Sequence, residues 1–369
     1  MAGAAPFDEH DAAALRRATA LAERGRGEVE PNPMVGAVVY RGAETLAEGF
    51  HRAYGEAHAE VEALAALARL PDGASLAVTL EPCSSGGGGK KQPRCVDALV
   101  ARRVRRVVAG EVDPDPRHRG AGLTALRAAG VGVVVAPPGS VPAALLAPLR
   151  AHLERDRPWV ILKWAQGLDG RWDAPSPDER WISCEESRRE VHRLRAHVDA
   201  LLVGAGTVLA DDPRLTARPP GPRPLLRVVV DGRARVAASA ALFKTLDQGP
   251  ILWVTGAAHK ARTPDGPVGV ERLELSSPHD LSGALLPALR RRGVARLLVE
   301  GGPAVAAAFL NGGVVDRAWV FVAPVVHGGR GEPGRSLTSA GASLDRAIRW
   351  NVESVERCGC DSWFKLSSP

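Results

Sequence analysis

The stretch from Gly55 to Asp97 holds residues whose types and spacing could do chemistry: His58 and Glu60, then Cys83 and Cys95. One imidazole and two thiolates hold Zn2+ in three tetrahedral positions. The fourth stays open for a water whose pKa the metal lowers to about 7. A nucleophile made there attacks an amidine carbon, and the departing amine must receive a proton. An unligated carboxylate two residues from the histidine, Glu60, can carry both protons. In a helix Glu60 projects about 200° around from His58. The pair therefore serves one centre only at a helix N-terminus, with the metal over the helix end.

A His-x-Glu pair is common by chance, and the cysteines are what give it meaning. The chain has five, Cys83, Cys95, Cys184, Cys358 and Cys360. An odd count without a signal segment argues against a disulfide framework. Two of the five fall just downstream of the pair, one directly after Pro82. The pattern resembles the zinc-deaminase signature, H-x-E followed by P-C-x-x-C, with Ser84 to Arg94 between the cysteines in place of two residues. The remaining candidates read as structural. Cys358-Gly359-Cys360, placed in a C-terminal strand, has no nearby histidine and gives no second metal site. Cys184 reads as a small residue in a helix cap, and His192, His197 and His327 as isolated, solvated or satisfied positions.

The elements that must position these residues follow from length and periodicity. A chain of 369 residues with 45% hydrophobic content is long enough for two ordinary domains, expected at 1–148 and 149–369. The net charge of +6 comes mostly from arginine, with only six lysines, and the arginines are interspersed with carboxylates. That balance weakly favours phosphorylated small ligands and disfavours nucleic acid. An aromatic content of 4% supplies no stacking platform for single strands. Neither a targeting segment nor a membrane span is expected, and the expected compartment is the cytoplasm.

In the first half the pattern predicts a helix over Asp8–Arg24 capped by Asp8 or Asp11, a hairpin of Met34–Tyr40 and Leu46–His51, and a helix over Ala57–Leu70. A strand over Leu76–Leu80 then delivers Glu81-Pro82-Cys83, followed by a helix over Cys95–Arg102, a strand over Val104–Ala109, a helix over Gly120–Ala129 and a strand over Val131–Val135. Such alternation argues a three-layer α/β/α domain with its site at the strand ends. The run Gly86-Gly87-Gly88-Gly89-Lys90-Lys91 is not a phosphate loop, because Ser84 and Lys91 stand where that motif needs Gly and Ser/Thr. A mobile loop or a lid over the zinc pocket are the readings left.

In the second half a strand over Trp159–Trp164 carries Lys163, which is costly inside an apolar run unless paired, functional or snorkelling at the strand end. A helix over Glu185–Ala196 leads to a strand over Ala200–Gly204 and the turn Gly204-Ala205-Gly206-Thr207. Later a strand over Arg296–Val299 ends in Glu300-Gly301-Gly302-Pro303 before a helix. Both glycine turns offer backbone N–H groups to a phosphate.

Pro31-Asn32-Pro33-Met34-Val35-Gly36-Ala37-Val38, Gly49-Phe50-His51, Gly55-Glu56-Ala57-His58-Ala59-Glu60-Val61, Thr79-Leu80-Glu81-Pro82-Cys83-Ser84 and Asp113-Pro114-Asp115-Pro116 together resemble the bifunctional riboflavin-biosynthesis deaminase/reductases. The resemblance implies a zinc cytidine-deaminase-like domain followed by a dihydrofolate-reductase-like α/β domain that uses NADPH. It implies hydrolytic deamination of 2,5-diamino-6-(5-phosphoribosylamino)pyrimidin-4(3H)-one, then reduction of the ribosyl group to ribityl. His58, Cys83 and Cys95 would hold Zn2+ and Glu60 would move protons, with Asn32 and His51 on the pyrimidine and Asp113 and Asp115 near the ribose phosphate. Ala165, Trp181, Thr207, Asp211, Gly301, Gly302, Pro303 and Ala304 would meet the nucleotide. Glu179, Arg195, Leu215, Arg218 and Glu300 would meet the substrate, with Lys163 positioning it and Asp211 as the polar group near the developing amine. A homo-oligomer, dimer or tetramer, is implied, built through the reductase domain.

Several positions depart from the family pattern. Ser85 and the glycine run replace two bulky residues, with three extra positions before Cys95. Asp115 stands for a common Asn, Glu179 for a Ser, and Gly167 for a Ser. Two added carboxylates near phosphate-handling positions would repel a phosphate by about 1 kcal/mol or more each. This leaves open a paralogue that acts on a modified or dephosphorylated pyrimidine riboside. A protein with one domain silent and structural is a further alternative, and a nucleic-acid deaminase is disfavoured by the reductase half.

Overall fold

A computed structural model describes residues 6–84, 94–172, 181–221, 223–257, 268–276, 281–326 and 348–368. The chain divides into two compact units, Met1–Arg155 and Asp156–Pro369.

The first unit opens with helix α1 (Glu9–Ala22). Asp8 starts it through a capping box, accepting from the Asp11 N–H at 2.9 Å while its own N–H donates to the Asp11 carboxylate at 3.1 Å. Ala14, Leu15, Ala18, Leu21 and Ala22 form its buried stripe. Strands β1 (Gly36–Arg41) and β2 (Glu44–Phe50) form the expected hairpin, and β3 (Ser75–Val78), β4 (Arg106–Ala109) and β5 (Gly132–Val135) complete a sheet of order β2-β1-β3-β4-β5. β1 pairs antiparallel with β2 and β3, whereas β3, β4 and β5 run parallel. Side chains alternate between two cores along these strands. Val38, Ala77 and Val108 face α1, while Val39, Leu76, Val78 and Val107 face helices α2 (Ala59–Ala65), α3 (Cys95–Ala101) and α4 (Ala121–Ala128). The result is three layers. α2 is shorter than its apolar pattern suggests, and helix α5 (Ala147–Glu154) belongs to this unit.

The second unit is built on a sheet of order β10-β9-β8-β7-β11-β6-β12-β14-β13. Its strands are β6 (Trp159–Gln166), β7 (Ala200–Gly204), β8 (Leu226–Val230), β9 (Ile251–Gly256), β10 (Glu271–Leu275), β11 (Arg296–Val299), β12 (Arg317–Val322), β13 (Asn351–Cys358) and β14 (Asp361–Ser367). From β10 to β12 all pairs are parallel, and the β13–β14 hairpin adds antiparallel to β12. The central strands are apolar on both faces, as a parallel sheet covered on both sides requires. Ile161, Leu201, Val203 and Leu298 face the core that includes Val191 and Leu194 of helix α6 (Glu185–Ala196). Leu162, Leu202, Leu297 and Val299 face the core of helices α8 (Leu286–Arg291) and α9 (Pro303–Asn311).

The structure departs from the sequence reading at two places that matter later. The turn expected at Gly204–Thr207 is the start of helix α7 (Ala205–Asp211), with Gly204 as its N-cap. Cys358-Gly359-Cys360 is not within one strand but crosses the β13–β14 turn, with Gly359 left-handed at φ +60°.

Candidate active sites

In the first unit, Gly49 sets where α2 can lie, because a Cβ there would stand 2.4 Å from the Ala63 N and 2.5 Å from the Ala59 carbonyl oxygen. The Glu62 carboxylate pins the same contact by accepting from the Phe50 N–H at 2.8 Å. His58 is the N-cap of α2, extended at ψ 157°, and Glu60 lies in the first turn, so both side chains reach the space over the helix end. Cys83 follows the end of β3, and Cys95 is the first residue of α3. The Cys95 N–H points at the Cys83 Sγ, 3.4 Å away, and the Val96 N–H donates to the Cys83 carbonyl at 3.2 Å.

The three donors converge. His58 Nδ1 stands 3.1 Å from the Cys95 Sγ and 3.6 Å from the Cys83 Sγ. With protein groups alone, hydrogen bonding from Cys95, together with His58, pushes the Cys83 thiol down to about 3. The Cys95 thiol is pushed up by the Cys83 hydrogen bond and by burial. A thiolate at Cys83 keeps Cys95 protonated, both sulfurs ionise together only with a cation between them, and one imidazole with two sulfurs is the donor set that zinc takes with a position left open. Zinc therefore fits. Glu60 is 3% exposed, and burial pushes its carboxyl above the usual range, opposed by His58.

His58, Glu60 and Cys83 border a cavity of about 280 Å³ that also reaches Asn32, His51, Asp113 and Asp115. His51 is oriented from both ring nitrogens, with Nδ1 3.0 Å from the Ala57 carbonyl oxygen and Nε2 3.2 Å from the Asn32 amide nitrogen. Its ring meets that of His58 edge-on, with centroids 5.5 Å apart. Asp113, which also lines the cavity, accepts from the Asp115 N–H at 2.9 Å. Asp115 is held by Arg117 through Nε at 2.9 Å and Nη2 at 2.6 Å, with His118 Nε2 at 3.8 Å. Arg117 holds the Asp115 carboxyl down at about 2, whereas burial raises that of Asp113.

Glu81 has a part that the sequence did not reveal. Its carboxylate accepts backbone N–H groups from Asp113, Gly120, Gly122 and Leu123 at 2.8–3.4 Å, tying the Asp113 loop and the start of α4 to the end of β3. The motif Glu81-Pro82-Cys83 announces the position, but its partners lie 32 to 42 residues away.

In the second unit, strand register builds the site. Val299 of β11 pairs with Leu162 of β6, so Glu300, just past the end of β11, and Lys163, inside β6, lie side by side on the face covered by α6. Arg195 reaches down from α6 and donates to both Glu300 oxygens at 2.7 Å and to the Thr216 carbonyl at 3.0 Å. Burial works against the Glu300 carboxylate, but Arg195 outweighs it and holds it below the usual range. Burial pushes the Lys163 amine down, opposed by Glu300. One turn before Arg195, His192 Nε2 lies 3.1 Å from Arg218 Nη2. Burial and the two arginines push His192 down to about 4. The sequence marked His192 as isolated, yet folding sets it among the expected substrate residues.

Gly301 carries no side chain because a Cβ there would stand 2.4 Å from the Val305 Cβ, and this absence lets α9 start against the end of β11. Gly302 is the N-cap of α9 and lies beside Thr207 of α7, the Thr207 Oγ1 being 3.7 Å from where a Gly302 Cβ would stand. Neither helix has an acidic residue in its first turn. Helix N-termini without a competing carboxylate suit the phosphates of NADPH, although in α9 Pro303 has no N–H and the Val305 N–H is donated to the Gly302 carbonyl at 3.0 Å. Ala165 lies on β6, and the Trp181 ring is 60% exposed with the Arg188 guanidinium 5.1 Å from its centroid. Asp211 is exposed at the last position of α7. Leu215 is 3% exposed with its side chain in the apolar core, so its backbone, left-handed at φ +57°, is what it can offer a substrate. Glu179 and the run from Gly86 to Lys91 lie outside the described residues, as does His327.

The comparisons with known proteins match this arrangement. The family profile described as the cytidine and deoxycytidylate deaminase zinc-binding region matches residues 8–111, and that of the RibD C-terminal domain matches residues 158–364. Riboflavin biosynthesis protein RibD of Aquifex aeolicus is 34% identical over 349 residues, covering 94% of this chain and 95% of that protein. The Mycobacterium tuberculosis protein of the same name is 38% identical over 92% of each chain. The solved structure of Acinetobacter baumannii RibD superposes with a TM-score of 0.70 at 28% identity, covering 98% of this chain and 99% of that one. Three converging zinc donors, a reductase sheet that sets Lys163 beside Glu300, and relatedness along nearly the whole length agree. The chain belongs to the RibD family, the bifunctional deaminase/reductases of riboflavin biosynthesis, which use zinc and NADPH.

Proposed function

We propose that the first unit deaminates 2,5-diamino-6-(5-phosphoribosylamino)pyrimidin-4(3H)-one and that the second reduces the ribosyl group of the product to ribityl. A Thermotoga maritima relative, 29% identical over 98% of this chain, is described as a diaminohydroxyphosphoribosylaminopyrimidine deaminase/5-amino-6-(5-phosphoribosylamino)uracil reductase. The observation that carries the reading is the buried Glu60 carboxylate beside three converging zinc donors, in one cavity with Asn32 and His51.

Zinc, when bound by His58, Cys83 and Cys95, makes water a nucleophile at neutral pH. Glu60 takes a proton from that water as its oxygen bonds to the ring carbon, and returns one to the amine as the C–N bond breaks and ammonia leaves. A carboxyl raised by burial is suited to both transfers. Asn32 and His51, locked to each other, hold the pyrimidine edge. Asp113 and Asp115 face the ribosyl side.

The reductase needs little protein chemistry beyond holding donor and acceptor close. NADPH, when bound, supplies the hydride that reduces the anomeric carbon of the open-chain imine. Gly301, Gly302, Pro303 and Ala304, with Thr207, cradle the phosphates, and Ala165 and Trp181 border the nucleotide. Lys163, depressed by burial, and the Arg195–Glu300 pair orient the sugar, with Arg218 and the Leu215 backbone at its rim. Asp211 is assigned to the nucleotide side and to the proton that the developing amine takes up. Glu179 is assigned to the substrate on the family resemblance alone.

The phosphorylated riboside is favoured over a dephosphorylated one because Asp115 is charge-compensated: Arg117 binds both of its oxygens. Steady-state rates with the two ribosides test this, and a preference for the dephosphorylated one would favour the paralogue reading. We also propose a homo-oligomer, a dimer or tetramer. β13 is an edge strand that leaves Val352 63% and Val355 54% exposed, the kind of edge a second copy covers. No described helix is long and apolar enough to cross a membrane. A thiolate zinc centre suits a reducing compartment, which supports the cytoplasm.

A further inference from the structure

Three acidic or thiol groups from distant parts of the second unit meet at the N-terminus of α6. Cys184 is the N-cap of that helix, and Cys360 and Asp361 come from the β13–β14 turn. The Cys184 Sγ, the Cys360 Sγ and an Asp361 carboxylate oxygen all lie within 4.8 Å of one another, the same limit that the His58, Cys83 and Cys95 donors meet. Ligands at about 2.3 Å around a tetrahedral ion stand about 3.8 Å apart, so both triads are compact enough to share one cation.

We propose that Cys184, Cys360 and Asp361 form a second zinc-class metal site, with Glu186 as its fourth ligand. Asp361 is 1% exposed, and one of its oxygens is already fixed by the Cys184 N–H at 2.9 Å and the Ser187 hydroxyl at 2.6 Å. Its other oxygen faces the Cys360 Sγ at 3.6 Å. This is the arrangement of a ligating carboxylate oriented by its outer partners. Glu186 is brought in by the turn itself, since a Cβ on Gly359 would stand 2.5 Å from the Glu186 Oε2 and 2.7 Å from the Cys184 Sγ.

Charge supports a cation over a bare thiol pair. Two sulfurs and two carboxylates, one of them buried, repel each other once the thiols ionise, and a divalent ion removes that cost. Arg188 and Arg357 stand close by, donating to the Ser183 carbonyl at 2.5 Å and the Gly359 carbonyl at 3.0 Å, and they offset the remaining negative charge. All five cysteines are free, and two thiolates with two carboxylates match zinc better than a hard ion. A metal here staples the start of α6 to the β13–β14 turn, and α6 carries His192 and Arg195 further along.

The test uses the full chain, purified with a phosphine reductant, loaded with Zn2+ and freed of loose metal, with zinc per chain measured by mass spectrometry. Wild type should hold two zinc ions, and Cys360→Ser and Cys184→Ser should each hold one. Cys95→Ser should hold one through the second site, and if that variant misfolds, the two second-site variants still decide. Alkylation of Cys360 by iodoacetamide, mapped by peptide mass, should be suppressed in loaded wild type and restored by chelator. One zinc in wild type, unchanged in Cys360→Ser and with Cys360 alkylated at the same rate in either state, overturns the proposal. A Cys184–Cys360 disulfide in the loaded chain overturns it equally.

Discussion

Arg117 closes on Asp115 with two parallel hydrogen bonds, Nε to Oδ1 at 2.9 Å and Nη2 to Oδ2 at 2.6 Å, so the carboxylate that the sequence placed beside a phosphate does not stand alone. Arg117 itself is 73% exposed, which limits the pair's worth to about 1 kcal/mol. Arg117→Ala should therefore raise the deaminase KM for the phosphorylated riboside about fivefold and leave KM for the dephosphorylated riboside unchanged. The same pair carries a pH signature. Asp115 is depressed to about 2 in the folded chain, so its contribution is present above the unfolded value of about 3.9 and is lost as pH falls towards 2. Thermal midpoints of wild type and Arg117→Ala should converge across that window.

Removing zinc should separate the two activities. A chelator that strips the His58, Cys83 and Cys95 centre should abolish ammonia release, with zinc restoring it, whereas Cys95→Ser, which leaves the second unit's ligands intact, should lose ammonia release and keep NADPH oxidation of the deaminated intermediate. Parallel assays before and after metal removal check this.

Arg195→Lys keeps the charge beside Glu300 but cannot make the two-point contact. Reductase kcat/KM should fall by roughly 10- to 100-fold, the loss of one charge-assisted hydrogen bond or two. Deaminase rates should not change. Equal reductase rates in the two proteins would remove Arg195 from the substrate site.

His192 should appear in the stability profile. Its folded pKa of about 4 lies below the ordinary histidine value, so between pH 6.5 and 4 the unfolded chain binds the proton that the folded chain refuses. Stability should fall as pH drops through that window, and His192→Gln should flatten the slope. Urea unfolding at a series of pH values measures it.

The parts that were legible in the sequence were local. Asp8 and Asp11 announce the start of α1, His58 and Glu60 declare a helix end, and apolar alternation gives both sheets. The parts that were not legible depend on chain segments meeting from far apart. Glu81 finds its N–H partners up to 42 residues on, Arg195 meets Glu300 across 105, and Ser187 meets Asp361 across 174. No periodicity encodes such meetings, so His192 looked isolated and Cys184 looked like a small residue in a helix cap. At Gly204–Thr207 glycine propensity marks the turn, and the structure makes that turn the first residues of α7 with Gly204 as its N-cap.

The most direct test of the account follows ammonia release and NADPH oxidation side by side, with the zinc-loaded chain and the phosphorylated diaminopyrimidinone riboside. Wild type should give both signals. Glu60→Gln should lose ammonia release by on the order of 10²- to 10⁴-fold while still oxidising NADPH when given the deaminated intermediate. Silence of wild type in both assays, with zinc bound and the fold intact, would contradict the assignment of substrate and sites.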